Sequence, residues 1–357
     1  MSGRSLRWAG AVAVLLVAAA VALRMPSVQD RMVRMAAARA LGSRPDALFR
    51  DDALRILICG SGSPPPDASR AKACVAVFAG GHFWVVDTGP GSWNRLGLLR
   101  IDGSRLAGVL LTHFHSDHIG DLGELNMNTW VLGRSDPLRV FGPPGVEQVV
   151  AGFSEAYALD SQYRIAHHGA DFLPPAAARM EAHVIPIPSG PTLAVQEGGL
   201  EIRAFAVNHA PVRPAYGYRF DYRGRSAVVS GDTAKDAAVV VAAKGADVLV
   251  HEALAPNLVA MIGEVAAEMG RSRVAKVMHD IPSYHTTPVE AAEVANEAGV
   301  KLLVLSHLTP APPMRVVEPA FTRGVDAVRP SGWRLAEDGL LVELPVDSSA
   351  IDVSVLH

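Results

Sequence analysis

Cysteine is scarce, with two residues in 357, Cys59 and Cys74. That number excludes a disulfide-built scaffold and any zinc module made from clustered cysteines. Aromatic residues make up 6% of the chain and charged residues 19%, with 33 basic against 36 acidic. The near-neutral balance leaves no chain-wide surplus of positive charge for gripping a long nucleic-acid duplex. Low-complexity runs and internal repeats are absent, and no composition break follows Leu54. Hydrophobic residues account for 49%, which suffices for a large packed core and excludes global disorder. Histidine is plentiful, at thirteen residues, and its clustering carries the functional argument.

The one long hydrophobic run is at the start. Trp8 to Leu23 is 16 residues without a charge, preceded by Arg4 and Arg7 and closed by Arg24. A basic start followed by such a run is the pattern of a secretory signal or a short anchor, and about 17–25 residues are needed to span a bilayer. Ala20-Val21-Ala22 offers a small-x-small cleavage site. A buried core helix is the competing reading, but the flanking arginines and the position at the chain start speak against it. The positive-inside rule keeps the first arginines in the cytoplasm and sends the rest across the membrane. We therefore expect an exported, periplasmic or extracytoplasmic protein, membrane-attached if the segment is not cut. Residues 25–52 carry Arg31, Arg34, Arg39, Arg44 and Arg50, as a membrane-proximal helix or a solvated linker. The expected organisation is 1–24 signal or anchor, 25–52 linker or helix, and 53–357 a single domain.

Within that domain strands and helices alternate. Arg55–Cys59, Cys74–Phe78, Phe83–Val86, Gly108–Leu111 and Leu138–Val140 form a first run of strand candidates. Leu200–Val207, Tyr216–Tyr222, Ser226–Ser230, Val248–His251, Lys301–Ser306 and Leu340–Leu344 form a second. Helical patterns cover Gly145–Ala156, Asp236–Ala243, Leu258–Met269 and Pro288–Ala298. Two strand runs, each with helices, predict two sheets packed face to face with helices outside. Phe153–Pro191 is irregular and proline-rich and reads as a loop and short helix over a site.

His113-Phe114-His115-Ser116-Asp117-His118 is the strongest chemical signal. His113 and His115, two apart at a strand end, point the same way and can share one metal. Asp117 and His118 follow after the chain turns and can face a second. Imidazole with carboxylate suits Zn²⁺ or another first-row divalent ion. His209, Asp232 and His307 each stand directly after an apolar strand, where α/β folds place their sites. Cys59 and Cys74 fall on consecutive strands and pair if the compartment is oxidising; buried free thiols are the alternative.

Further motifs extend this set: Gly60-Ser61-Gly62-Ser63-Pro64 with Arg70, Val86-Asp87-Thr88-Gly89, Pro214-Ala215-Tyr216-Gly217-Tyr218-Arg219, Ser230-Gly231-Asp232-Thr233, His251-Glu252-Ala253, Tyr284-His285-Thr286-Thr287 and Ser306-His307. Together they resemble the metallo-β-lactamase superfamily over residues 54–345. The pair His251-Glu252-Ala253 and His285-Thr286-Thr287 resembles the branch holding tRNase Z phosphodiesterases and zinc-dependent arylsulfatases. The resemblance implies a four-layer αβ/βα sandwich and two Zn²⁺ ions. It implies His113, His115 and His209 on one ion, Asp117, His118 and His307 on the other, and Asp232 between them. Asp117 would also accept a proton. His285 would act as general acid and Glu252 would hold its ring. His167 and His168, in the cover segment, are candidates for touching substrate, and Asp87 for supporting the metal loop.

The tRNase Z relatives carry a long RNA-gripping arm between the fifth ligand and the bridging aspartate. Here only 22 residues (210–231) separate His209 from Asp232, enough for two strands and a turn. With export, that makes nucleic acid an unlikely partner and a small sulfate ester or phosphodiester the expected substrate. The alternatives are tRNA 3′-end processing, lactone or thioester hydrolysis, or a metal-free binding role; a homodimer is left open.

Overall fold

The computed structural model describes residues 3–42 and 46–356. Arg44 and His357 lie outside the described residues, as do the side chains of Arg4, Arg7 and Arg39. The chain divides into two compact units between Asp46 and Ala47.

The first unit consists of helices α1 (Gly3–Ala22) and α2 (Pro26–Leu41). Pro26 opens α2, where its missing N–H is no loss. Val12, Leu15, Leu16 and Val17 of α1 are all exposed. Among the described residues no single helix is long and apolar enough to cross a membrane; Ala11–Ala22 and Pro26–Ala38, bent by 74°, pass that test as a pair.

The second unit begins by burying Leu48 and Phe49, the latter edge-on to Phe78 and Phe83 at 5.4 and 6.1 Å. Its first strands are β1 (Ala53–Gly60), β2 (Cys74–Ala79), β3 (His82–Val86), β4 (Leu106–Leu110), β5 (Leu138–Gly142) and β6 (Met180–Val184). Seven more follow: β7 (Thr192–Glu197), β8 (Leu200–His209), β9 (Val212–Tyr222), β10 (Arg225–Val229), β11 (Val248–Leu254), β12 (Leu302–Thr309) and β13 (Trp333–Leu335). The last two, β14 (Leu340–Pro345) and β15 (Asp352–Val355), return to the first sheet. The orders are β15-β14-β1-β2-β3-β4-β5-β6 and β13-β12-β11-β10-β9-β8-β7. Every residue of β1, β2, β11 and β12 is buried, which is why these strands read as unbroken apolar runs.

Ile56, Val77, Trp84, Ile202, Phe220 and Val304 fill the space between the sheets. Outside the first sheet lie α3 (Ser92–Leu98), the single turn α4 (Ser116–Ile119), α5 (Leu122–Val131) and α6 (Val146–His168). Leu96, Leu122, Leu125 and Val146 pack there on Leu57, Val85 and Val109. Outside the second lie α7 (Ala237–Ala243), α8 (Pro256–Glu268), α9 (Ser272–Asp280) and α10 (Pro288–Ala298). Val239, Ala291 and Val294 cover Val228, Leu249 and Leu303. Helix, sheet, sheet and helix give the four expected layers.

The segment 153–191 departs from expectation. Its first part continues α6 to His168, because no proline or glycine interrupts it before Gly169, and Met180–Val184 adds strand β6. Cys59 and Cys74 are joined as a disulfide, Cα atoms 5.0 Å apart, at the end of the paired strands β1 and β2. β8, β9 and β10 form a continuous antiparallel ladder. Arg223 (φ 45°) and Gly224 (φ 79°) make the tight turn between its last two strands.

Gly108 shows how closely the core is fitted. A Cβ there would lie 2.5 Å from Trp84 Cζ3 and 3.1 Å from the Arg139 carbonyl. Gly108→Ala should therefore cost about 1–3 kcal/mol, seen as a lower urea midpoint with an unchanged slope. An unchanged midpoint would mean that the Trp84 ring yields freely.

Candidate metal centre

After β4 the chain runs on extended and is stitched to both sheets. Leu111 N donates to the Phe141 carbonyl (2.8 Å) and Tyr216 N to the Thr112 carbonyl (2.9 Å). The buried Tyr218 hydroxyl donates to the Leu111 carbonyl at 2.7 Å. Asp87, just past β3, accepts from Thr112 N and Thr112 Oγ1, both at 2.8 Å, and from His118 Nδ1 at 2.8 Å. It thus supports the loop, as expected, and turns His118 Nε2 inward. The single turn α4 places Asp117 and His118.

The other contributors come from the rim of the second sheet. His209 ends β8, Asp232 follows β10, and His307 lies in β12 with φ 48°. Gly231 takes φ 63°, and a Cβ there would meet the Tyr216 carbonyl at 2.4 Å; only glycine lets the chain reach Asp232. His209 Nδ1 donates to the Tyr284 carbonyl (3.0 Å), leaving Nε2 for the site. A backbone acceptor has no residue signature, so the sequence could not reveal Tyr284.

Asp232 stands at the middle. Its Oδ2 lies 3.3 Å from His118 Nε2 and 3.9 Å from both His113 Nε2 and His209 Nε2. Its Oδ1 lies 3.5 Å from His307 Nδ1. Asp117 Oδ2 is 3.1 Å from His307 Nε2 and 3.5 Å from His118 Nε2. His113, His115, His209 and Asp232 form one group able to hold a metal ion, and Asp117, His118 and His307 a second. Asp232 and His307 also form a group with His285.

The donor set fits cations. His118 Nε2, His209 Nε2, Asp232 Oδ1 and His307 Nδ1 are all buried without a hydrogen-bond partner. Each such atom costs about 1–3 kcal/mol when left unmet, and four converge in one place. Burial pushes His113, His115 and His209 below the ordinary histidine range, which keeps them neutral as ligands must be. Burial opposes charge on His118 too, but Asp232 and Asp87 outweigh it and hold its pKa well above that range. Positive charge is favoured there, whether carried by a proton or a metal. Asp232, although buried, is held well below the carboxylate range by His307 and His118.

Beside this cluster, Glu252 Oε1 accepts from His285 Nδ1 (2.9 Å), Thr233 N (3.1 Å) and Thr286 N (3.2 Å). One carboxylate oxygen therefore ties the Asp232 loop to the His285 loop. Burial works against charge on His285, but the neighbouring Glu252 carboxylate and Asp232 raise its pKa to about 9. His167 and His168 stand exposed in the last turn of α6, outside the cluster. His251 is fully buried, with Nδ1 against the Glu252 carbonyl (2.8 Å). His183 is half-buried and stacked on Phe141 at 4.5 Å.

Residues 83–308 match the model of the beta-lactamase superfamily domain, a span that includes every residue of the cluster. The chain belongs to the metallo-β-lactamase superfamily of hydrolases. Among curated relatives it is similar to the protein named ribonuclease Z of Mycobacterium sp. (strain KMS), at 39% identity over 259 residues, 72% of this chain and 85% of that one. Among solved structures it is similar in fold to the metallo-beta-lactamase fold protein YhfI from Bacillus subtilis (TM-score 0.58, 20% identity, 82% and 99% of the two chains). Human tRNase Z, short form, is similar to the same degree (TM-score 0.57, 20% identity, 82% and 100%).

His285 should titrate near 9 in metal-stripped protein rather than near 6.5. Its folded pKa lies above the unfolded one. Its contribution to stability is therefore complete below about 6.5 and is lost as pH rises through about 9. Glu252→Gln should bring the NMR-detected midpoint back down. A wild-type midpoint near 6.5 would count against the charged pair.

Proposed function

We propose that the protein is a phosphodiester hydrolase of the ribonuclease Z type that works with two zinc ions and cleaves at RNA 3′ ends. The observation that carries this reading is the Glu252–His285 pair set against the cluster centred on Asp232. His113, His115 and His209 would hold one ion, Asp117, His118 and His307 the other, and Asp232 both. The zinc pair, when bound, would supply Lewis acidity, lowering the pKa of water and neutralising charge on the attacked phosphoryl group. Asp117, kept ionised by His307 and His118 although burial opposes it, would accept the proton of the attacking water. His285 would donate its Nε2 proton to the leaving oxygen, with Glu252 fixing the ring through Nδ1. The relatives named ribonuclease Z favour RNA, against the expectation drawn from charge and export.

A second reading, a small phosphodiester or sulfate ester, is favoured by the ladder β8–β9–β10, which leaves no room for a protruding arm between His209 and Asp232. Sulfate and phosphate share tetrahedral geometry, and a thioester's thiolate would leave without an acid of this kind. His167 and His168 keep only a proposed role at the substrate's edge.

The zinc-loaded protein should be tested on 3′-extended RNA, bis(p-nitrophenyl) phosphate, an aryl sulfate, a lactone and a thioester. Cleavage of the RNA and the phosphodiester is expected; turnover of the lactone or thioester alone would overturn the phosphodiesterase reading. His285→Ala should keep its zinc and lose about 10²–10⁴-fold on RNA, whose leaving alkoxide is basic. The loss should be clearly smaller on the nitrophenyl ester. Full activity on both substrates would remove His285 as the acid.

Export is also proposed, from the basic start and apolar run of residues 4–24. A reporter fused after Asp52 should be active only outside the cytoplasm; activity inside it would refute the proposal.

A further inference from the structure

The Cys59–Cys74 disulfide closes a loop, residues 60–73, that ties down the neighbours of both histidines of one metal-binding group. On one side the loop holds the residue after His307. Leu308 N donates to the Ser61 carbonyl (2.9 Å), Ser63 Oγ donates to the Leu308 carbonyl (2.7 Å), and Gly62 pairs with Leu308 as an isolated bridge. Both backbone polar groups of Leu308 are thus taken by the loop. His307, immediately before it, has φ 48°, a conformation that a non-glycine residue keeps only when its surroundings impose it.

On the other side the loop holds the support of His118. Gly89 N donates to the Ala73 carbonyl (2.9 Å) and Lys72 N to the Pro90 carbonyl (3.0 Å). The 87–90 segment fixed in this way then holds His118, through Thr88 N donating to the His118 carbonyl (2.6 Å) and His118 Nδ1 donating to Asp87 Oδ2 (2.8 Å). Asp87 also accepts from Thr112, next to His113, but the group of His113, His115 and His209 has further ties of its own, from Tyr216 N of the second sheet to the Thr112 carbonyl and from His209 Nδ1 to the Tyr284 carbonyl.

We infer that the Cys59–Cys74 disulfide positions His118 and His307, so that a chain folded with reduced thiols binds the metal of that group more weakly than the other. This rests on reading Asp117, His118 and His307 as ligands. It makes a complete metal pair the product of folding under oxidising conditions. The effect should be partial, because the buried Asp338 carboxylate also anchors the loop, accepting from Ser61 N (3.0 Å), Ser61 Oγ (2.7 Å) and Ala71 N (2.7 Å).

The test is a zinc titration against a competing chromophoric chelator. It compares the full chain with its disulfide formed, the same chain folded in phosphine reductant, and Cys59→Ser/Cys74→Ser. Circular dichroism confirms that each is folded. The reductant supplies two electrons, and the two sulfurs take up two protons as thiols. One zinc should stay within about twofold and the other should loosen by about 10–100-fold, the range typical of lost support around a metal ligand. Ser63→Ala keeps the disulfide and removes one tie to Leu308. It should loosen the same site by a smaller factor, and it carries the test if the reduced chain does not fold. Unchanged affinities at both sites in folded reduced protein, or an equal loss at both, would overturn the inference. An oxidised chain that binds a single zinc would remove the two-metal reading, and this inference with it.

Discussion

The buried carboxylate of Asp232 is the constraint on which the rest depends. A negative charge 3% exposed is costly unless positive partners surround it. Imidazoles from four separate segments gather around it, and an oxygen and three ring nitrogens there still lack partners. Such an arrangement is stable only with cationic charge at its centre. The two sheets serve this demand by delivering strand ends to one rim: β4 and its extension from the first, and β8, β10 and β12 from the second.

Around that centre a few acceptors do several jobs each. Asp87 fixes Thr112 and His118 together, and Glu252 fixes Thr233, Thr286 and His285 together. Asp87 and His307 both hold positive φ, so strain sits beside the chemistry and is stabilised by the packed sheets. The His285 ring, paired to Glu252, carries a proton at neutral pH, while the histidines of the first group stay neutral. Burial lowers the rings of the first group, while the carboxylate at His285 Nδ1 raises that ring against the same burial.

Much of this was legible in the sequence, for reasons that can be named. The grouping of His113 to His118 is written in adjacent spacing, and His209, Asp232 and His307 announce themselves as polar residues after apolar runs, although β8 takes in His209 and β12 continues past His307. The buried strands read directly because both their faces are covered. The remainder was hidden where burial leaves no pattern. The second half of α6 has no apolar stripe, α9 buries no residue at all, and β15 is an exposed edge. Tyr284 acts through its carbonyl, which any residue could supply. The disulfide partners were visible as neighbours, but the contacts of their loop with Leu308 were not, since 245 residues separate Ser63 from that carbonyl.

The ladder β8–β9–β10 also works as a ruler. His209 closes β8 and Asp232 follows β10 at the same rim, joined through the paired strands β9 and β10. A slip of one residue would swap inward and outward side chains along the ladder and displace both acids and bases at once. Length can change at the outer bend, Arg223–Gly224, which lies at the far end of the strands from the cluster. Insertions acquired there would be inherited as new surface, while the calibrated interval between His209 and Asp232 passed on unaltered.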